Sequence, residues 1–272
     1  MFSNIFDSHT HTDNSPDGNH SAMMLCEHAV ARGLSGIAIT DHCEIQSFFK
    51  DNYDVRIKQS NFEANKARAV FGKHLVVSAG IELGQPLEDL AQTNDLLSTY
   101  DFDFILCSVH NLVKQLDFAF NDYSHYGEEQ IDIVFSSYLG LVYKTVKWNG
   151  LDSLAHLTYP LRYMMGLHKK TVNLDHHYEQ IDEILKLLAQ NGKALEINSS
   201  GLRQRIGVTL PPFPILKRFK EHGGELVTIG SDSHFAEDVG KGIEDVMEYM
   251  LSIGYKYFTF FKKREPHLLR II

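Results

Sequence analysis

Cysteine is scarce in this chain: Cys26, Cys43 and Cys107 are the only three among 272 residues. An odd number with no C-x-x-C spacing excludes a disulfide framework and argues against a thiolate zinc site, so each reads as a small buried hydrophobe. Long apolar runs are absent too. None approaches the roughly 18 residues of a membrane span, and Met1 to His11 contain neither a basic n-region nor an apolar h-region. A cytoplasmic protein without membrane attachment is therefore expected. Positive charge is in deficit, with 26 lysines and arginines against 35 acidic residues and a net charge of −9. That balance argues against a general nucleic-acid binder, which needs a basic face. A phosphorylated substrate stays open, because bound divalent cations would reverse the field locally. Repeats, low-complexity tracts and interdomain linkers are missing, and no partner surface or oligomeric state stands out. With 43% hydrophobic residues, the chain can bury one large core as a single domain over residues 1–272.

What is present in excess is histidine, with fifteen residues. Short β-like runs alternate with longer helical stretches, the pattern of βα units in a parallel α/β barrel. Strands are expected at Ile5–Phe6, Gly36–Ile39, Leu75–Ser78, Phe104–Cys107, Ser153–Ala155, Ala194–Ile197 and Leu226–Ile229, with one more short strand at Tyr255–Phe260. Helices are expected over Ser21–Arg32, Asn61–Phe71, Leu87–Tyr100, Glu128–Trp148, Tyr178–Asn191, Pro214–His222 and Asp238–Ser252. The longest loops, residues 111–127 and 158–173, are placed to shape a substrate pocket.

Six of the seven expected barrel strands end in a histidine or a carboxylate. The first ends in Asp7-Ser8-His9-Thr10-His11, the second in Thr40-Asp41-His42 and the third in Gly80-Ile81-Glu82. The fourth ends in Ser108-Val109-His110, the fifth in Ala155-His156 and the seventh in Gly230-Ser231-Asp232-Ser233-His234. Parallel barrels converge their strand C-termini on one edge. Because side chains alternate along a strand, His9 and His11 share a face, as do Asp232 and His234. Imidazole with carboxylate suits zinc, manganese or iron rather than calcium or magnesium. With Asp17 added, the donors are too many for one ion and suit two or three. The nine other histidines fall in helices, loops or the terminus and fail this positional test.

These stretches, together with Ser15-Pro16-Asp17-Gly18 and Ile39-Thr40-Asp41-His42-Cys43-Glu44, resemble the PHP (polymerase and histidinol phosphatase) superfamily, and within it the histidinol-phosphate phosphatase branch. The resemblance spans nearly the whole chain and implies a distorted (β/α)7 barrel. It implies a first metal held by His9, His11, Glu82 and Asp232, a second held by Glu82 as a bridge with His110 and His156, and a third held by Asp17, His42 and His234. Many members carry histidine where this chain has Asp17. The activity implied is hydrolysis of a phosphate monoester, L-histidinol phosphate, in histidine biosynthesis, by a hydroxide shared between two metals. Asp17 or His42 would alternatively assist the leaving alkoxide. Arg162, Arg203 and Arg205 lie in loops where arginine forks would grip phosphate. Glu44 would meet the substrate amine. The competing readings are a PHP nuclease or phosphodiesterase acting on nucleotides, an amidohydrolase-type C–N hydrolase, and a metal-storage module. The amidohydrolases often use a carboxylated mid-barrel lysine, and this chain offers Glu82 there instead.

Overall fold

The computed structural model describes residues 2–272. Its strands are β1 (Phe6–Thr10), β2 (Gly36–Ile39), β3 (His42–Glu44), β4 (Val76–Gly84), β5 (Phe104–Ser108), β6 (Ser153–Leu154), β7 (Ala194–Asn198) and β8 (Val227–Gly230), followed by β9 (Tyr257–Lys262) and β10 (Glu265–Arg270). The α-helices are α1 (Ala22–Ala31), α2 (Tyr53–Phe71), α3 (Leu90–Thr99), α4 (Glu128–Trp148), α5 (Tyr178–Gln190), α6 (Ser200–Arg203), α7 (Phe213–Glu221) and α8 (Ile243–Ser252).

The seven expected strands pair in the order β1-β2-β4-β5-β6-β7-β8, and every neighbouring pair is parallel. β3 resumes the course of β2 beyond Thr40-Asp41 and pairs with the far half of the long strand β4. Runs such as Phe-Ile-Leu-Cys-Ser in β5 are buried throughout, as parallel strands covered on both faces require. The ring closes where the end of β1 meets the residues just past β8. Asp232 N donates to His9 O at 2.8 Å and His11 N to Ser233 O at 2.9 Å, with a parallel bridge between Thr10 and Ser233. The result is the expected distorted (β/α)7 barrel.

Helices dock by narrow apolar stripes. In α5 the buried residues are Ile181, Ile184, Leu185 and Leu188, an i, i+3, i+4, i+7 set, each contributing about 1.5–3 kcal/mol of burial. Two expected helix starts shift. α2 begins at Tyr53 rather than Asn61, because its buried positions Tyr53, Ile57 and Ser60 are diluted among polar residues. α8 begins at Ile243 rather than Asp238, because Gly240 and Gly242 both take φ of 77° and break the helical path. The loop at 158–173 contains one π-helical turn, Arg162–Leu167.

The late aromatic strand stands outside the barrel. β9 pairs antiparallel with β10 across a two-residue turn, Lys263-Arg264, both in the left-handed region. Phe260 stacks on Phe6 and Phe261 on Phe104, so the hairpin covers the end of the barrel where strands begin. Arg264 pairs there with buried Asp152. The opposite end is left for chemistry. Among the described residues, no helix is long and apolar enough to cross a membrane.

Candidate metal centre

Every barrel strand contributes a histidine or carboxylate to one cluster. His9 and His11 come from the end of β1, His42 from β3, Glu82 from within β4, and His110 and His156 from just past β5 and β6. Asp232 and His234 follow β8. The seventh contribution was not anticipated: Glu196 lies mid-strand in β7, wholly buried. The signal was available, since a carboxylate inside Ala-Leu-Glu-Ile-Asn needs a buried polar partner.

Five separations define the deepest set. His9 Nε2 lies 2.9 Å from His11 Nε2, 3.3 Å from Glu82 Oε2 and 3.7 Å from Asp232 Oδ1; His11 Nε2 lies 3.5 Å from Glu82 Oε2 and 3.4 Å from Asp232 Oδ1. A tetrahedral site with bonds of about 2.0 Å has edges of roughly 3.3 Å. Hydrogen bonding leaves an Nε2 lone pair on both imidazoles, so both could act as ligands. Carboxylates only accept, so His9 Nδ1–H donates to Glu196 Oε1 at 2.7 Å. Ser15 Oγ gives its proton to Asp41 Oδ1 and accepts from His11 Nδ1 at 3.1 Å. Two imidazole lone pairs thus face each other at 2.9 Å, an arrangement that repels unless a cation sits among them.

Glu82 divides its oxygens between two groups. Oε2 faces His9, His11 and, at 2.8 Å, His42 Nδ1. Oε1 faces His156 Nε2 at 2.9 Å and His110 Nε2 at 3.1 Å. Although close, His42 Nδ1 does not meet Oε2 with hydrogen-bonding geometry, and among the described residues buried Oε2 is left without a hydrogen bond, which fits a carboxylate built to bridge cations. His110 Nδ1 donates to Glu44 Oε1 at 2.7 Å, leaving its Nε2 lone pair for the cluster. The outermost group is more open. His234 Nε2 lies 3.1 Å from Asp17 Oδ2, His42 Nε2 lies 3.7 Å from Asp17 Oδ1, and the His11 ring is sandwiched between His42 and His234 at 4.3 and 4.2 Å. His11 thus stands between the deep and outer groups.

Charge in the cluster follows its crowding. Burial opposes ionising His9, yet Glu196, Glu82 and Asp232 raise its pKa well above the ordinary histidine value. Burial opposes His110 likewise, and Glu44 with Glu82 raises it. For His42 burial is again outweighed, by Glu82 and Asp17, and its pKa is raised to about 9. Burial would raise Glu82 and Asp232, but facing histidines hold both well below the carboxylate range, His42 first for Glu82 and His9 first for Asp232.

Backbone and buttress residues hold the donors in place. His156 and Asp232 take φ of 21° and 52°, a conformation costing a non-glycine residue about 1–3 kcal/mol that functional sites tolerate. A Cβ on Gly230 would meet His9 Cβ and Glu196 Oε1 at 2.3 and 2.4 Å, so only glycine lets β8 pass this close. Glu196 also accepts from His156 N at 2.8 Å and so ties two putting-together points of the cluster, His9 and His156. Asp232 Oδ2 is held by Arg162 Nη2 at 2.8 Å and by Asn198 and Ser200. Glu196→Gln is expected to weaken divalent-ion binding roughly 10–100-fold, read by metal titration of the purified protein. Unchanged affinity would make Glu196 a packing residue only.

A cavity of about 810 Å³ opens over the cluster and is lined by Asp17, His42, Glu44, Glu82, His110, His156, Asp232 and His234 among others. Arg162 lines it; Arg203 and Arg205 do not. α6 carries Arg203 away, where its guanidinium donates to Ser231 O at 2.9 Å and lies 3.7 Å from Asp238. Arg205 is exposed just beyond. In this structure these two arginines lie outside the cavity lining, with one edge of the Arg203 guanidinium held at the Ser231 strand end and its buried Nη1 without a partner among the described residues. Glu44 does line the wall, but one oxygen is committed to His110 rather than free for an amine. Among the described residues no lysine is buried, so a carboxylated mid-barrel lysine has no position here.

Comparison with known proteins identifies the family. The chain is 31% identical over 264 residues to a probable histidinol-phosphatase of Clostridium acetobutylicum, covering 96% of this chain and 98% of that one. It is 29% identical to the histidinol-phosphatase of Lactococcus lactis, covering 85% and 84%. Its fold is similar to a crystal structure of L. lactis histidinol phosphate phosphatase complexed with zinc, L-histidinol and phosphate, with a TM-score of 0.79 at 23% identity over 97% of this chain and 98% of that chain. Residues 7–200, from β1 to the first turn of α6, match the PHP domain, and since the likeness to whole relatives runs on through the remainder, the chain belongs to the PHP domain family.

Proposed function

We propose that the protein is a metal-dependent phosphomonoesterase that hydrolyses L-histidinol phosphate to L-histidinol and phosphate. The observation that carries this reading is Glu82, whose two oxygens face two separate histidine groups on the floor of the cavity. In it His9, His11, Glu82 and Asp232 hold one divalent ion and Glu82, His110 and His156 a second. Asp17, His42 and His234 form the outermost position. Zinc, manganese and iron all suit these donors. Bound ions of this kind supply Lewis acidity and a water of lowered pKa.

The protein's own groups do the rest. Arg162 Nη2 is fixed by Asp232 and Ser200, while its Nε has no partner among the described residues. A guanidinium pinned at one corner keeps other donors for phosphoryl oxygens. Asp17, despite desolvation, is kept ionised by His234 and His42 and so serves as a ligand or charge partner, not as an acid. When the outermost position carries no ion, His42 is the cavity group able to give a proton to the leaving oxygen. A cavity of about 810 Å³ lies in the range for small ligands, and a small phosphorylated metabolite in the cytoplasm is the substrate and setting in this reading. The names of the relatives select L-histidinol phosphate within that class.

The test is kcat/KM across phosphate esters with metal-replete protein. L-histidinol phosphate should exceed nucleoside monophosphates and phosphodiesters by about 100-fold or more. Equal or better turnover of nucleotides would transfer the protein to the nucleotide-directed alternative.

A further inference from the structure

Resting on the phosphatase reading above, we infer that Asp117 receives the ammonium group of an amino-alcohol phosphate, with Leu116 and Phe120 beside it as the apolar rest for the substrate's flat ring. Asp117 lines the cavity, as do Leu116 and Phe120, which are 66% and 76% exposed. Of the other cavity carboxylates, Glu82, Asp232, Asp17 and Glu44 each lie within 4.0 Å of an imidazole nitrogen, and Asp51 is exposed to solvent. Asp117 differs. Among the described residues no lysine, arginine or histidine nitrogen comes within that distance of it.

Its hydrogen bonds come only from neutral donors. Oδ1 accepts from Ala119 N at 2.7 Å and from Tyr159 OH at 3.0 Å, and Oδ2 has Tyr159 OH alone, at 3.3 Å. A carboxylate has about four acceptor sites, so capacity remains on the cavity side. Burial pushes its pKa up, only partly opposed by the more distant His110, and an arriving ammonium would offset the remaining desolvation cost.

The group is also held at a fixed distance from the cluster. Phe118 N donates to His110 O at 2.9 Å, and Asn111 and Asp117 form a β-bridge. The Tyr159 ring packs against both His110 and His156, with centroids 4.8 and 4.9 Å away, while its hydroxyl reaches Asp117 and Tyr163. Asp117 is thus placed one phenol ring from the second histidine group. That is the relation needed if one end of the substrate is a phosphoryl group and the other a cation. Glu44, expected for the amine, is occupied with His110.

The experiment compares L-histidinol phosphate with its desamino counterpart, 3-(imidazol-4-yl)propyl phosphate, on wild-type enzyme and on Asp117→Asn. In the wild type, removing the amine should lower kcat/KM roughly 10- to 100-fold, the range of one charged hydrogen bond. Asp117→Asn should lower kcat/KM for L-histidinol phosphate by the same factor, mostly through KM, and leave the desamino ester unchanged. A wild type that turns over both esters equally overturns the assignment without any variant. So does a variant with full metal content that loses both esters alike or neither. Failure of the phosphatase reading looks different: the wild type then hydrolyses neither ester.

Discussion

Replacing Glu82 with glutamine is expected to lower turnover of any phosphate ester by about 10⁴-fold and to deplete bound metal from more than one position. The size follows from the dual use of this side chain. A metal stabilises phosphoryl charge by several kcal/mol, each 1.4 kcal/mol is a factor of ten, and Glu82 faces both deep histidine groups at 2.9–3.5 Å. Glutamine keeps the volume but loses the charge and one acceptor, and its NH2 would point at imidazole lone pairs or at a cation. The check is kcat together with metal content by elemental analysis. A variant retaining full metal and near-normal turnover would remove Glu82 from the bridging position and with it the two-centre reading.

Stripping the protein with a chelator is expected to abolish turnover and to reverse its stability profile with pH. In the metal-free state His9, His110 and His42 have pKa values raised above the unfolded histidine value of about 6.5, His42 to about 9. A raised base binds more protons folded than unfolded, so its stabilising contribution is complete below pH 6.5 and disappears as pH climbs toward 9. Glu82 and Asp232 are depressed, so their contribution is present above pH 4–5 and is lost only in stronger acid. Metal-free protein should therefore melt at lower temperature at pH 9 than at pH 6.5. Metal-loaded protein should show the opposite trend, because ions must displace those protons and bind more tightly as pH rises. The measurement is Tm against pH for the two forms. Parallel curves would mean that metal and protons do not compete at these histidines.

The parts of the site legible from residues alone are those at strand ends. His9 and His11, Asp232 and His234 announced themselves because period-two spacing puts each pair on one face, and Glu82, His110 and His156 because each follows a short apolar run. Glu196 was hidden inside its strand, and its role depends on His9 Nδ1 reaching it from β1, two strands away across the closing seam. Arg162 and Arg203 illustrate what spacing leaves undetermined. Both sit in loops after strands, yet one turns to Asp232 and the other to Ser231 O and Asp238, a choice made by tertiary partners. β10 carried no pattern at all: its residues are mostly exposed and include Pro266, and its turn uses Lys263-Arg264 where Asn-Gly is usual. β3 was concealed because the chain bends at Thr40-Asp41 before pairing again.

The seam between the first and last barrel strands is sewn by residues 9, 11, 232 and 233, and three of these are the donors of the deepest group. An ion held by His9, His11 and Asp232 would draw its ligands from both ends of the sheet and so would act as a fastener as much as a reagent. Backbone hydrogen bonds already close that seam, so metal binding is expected to brace a ring that is formed without it.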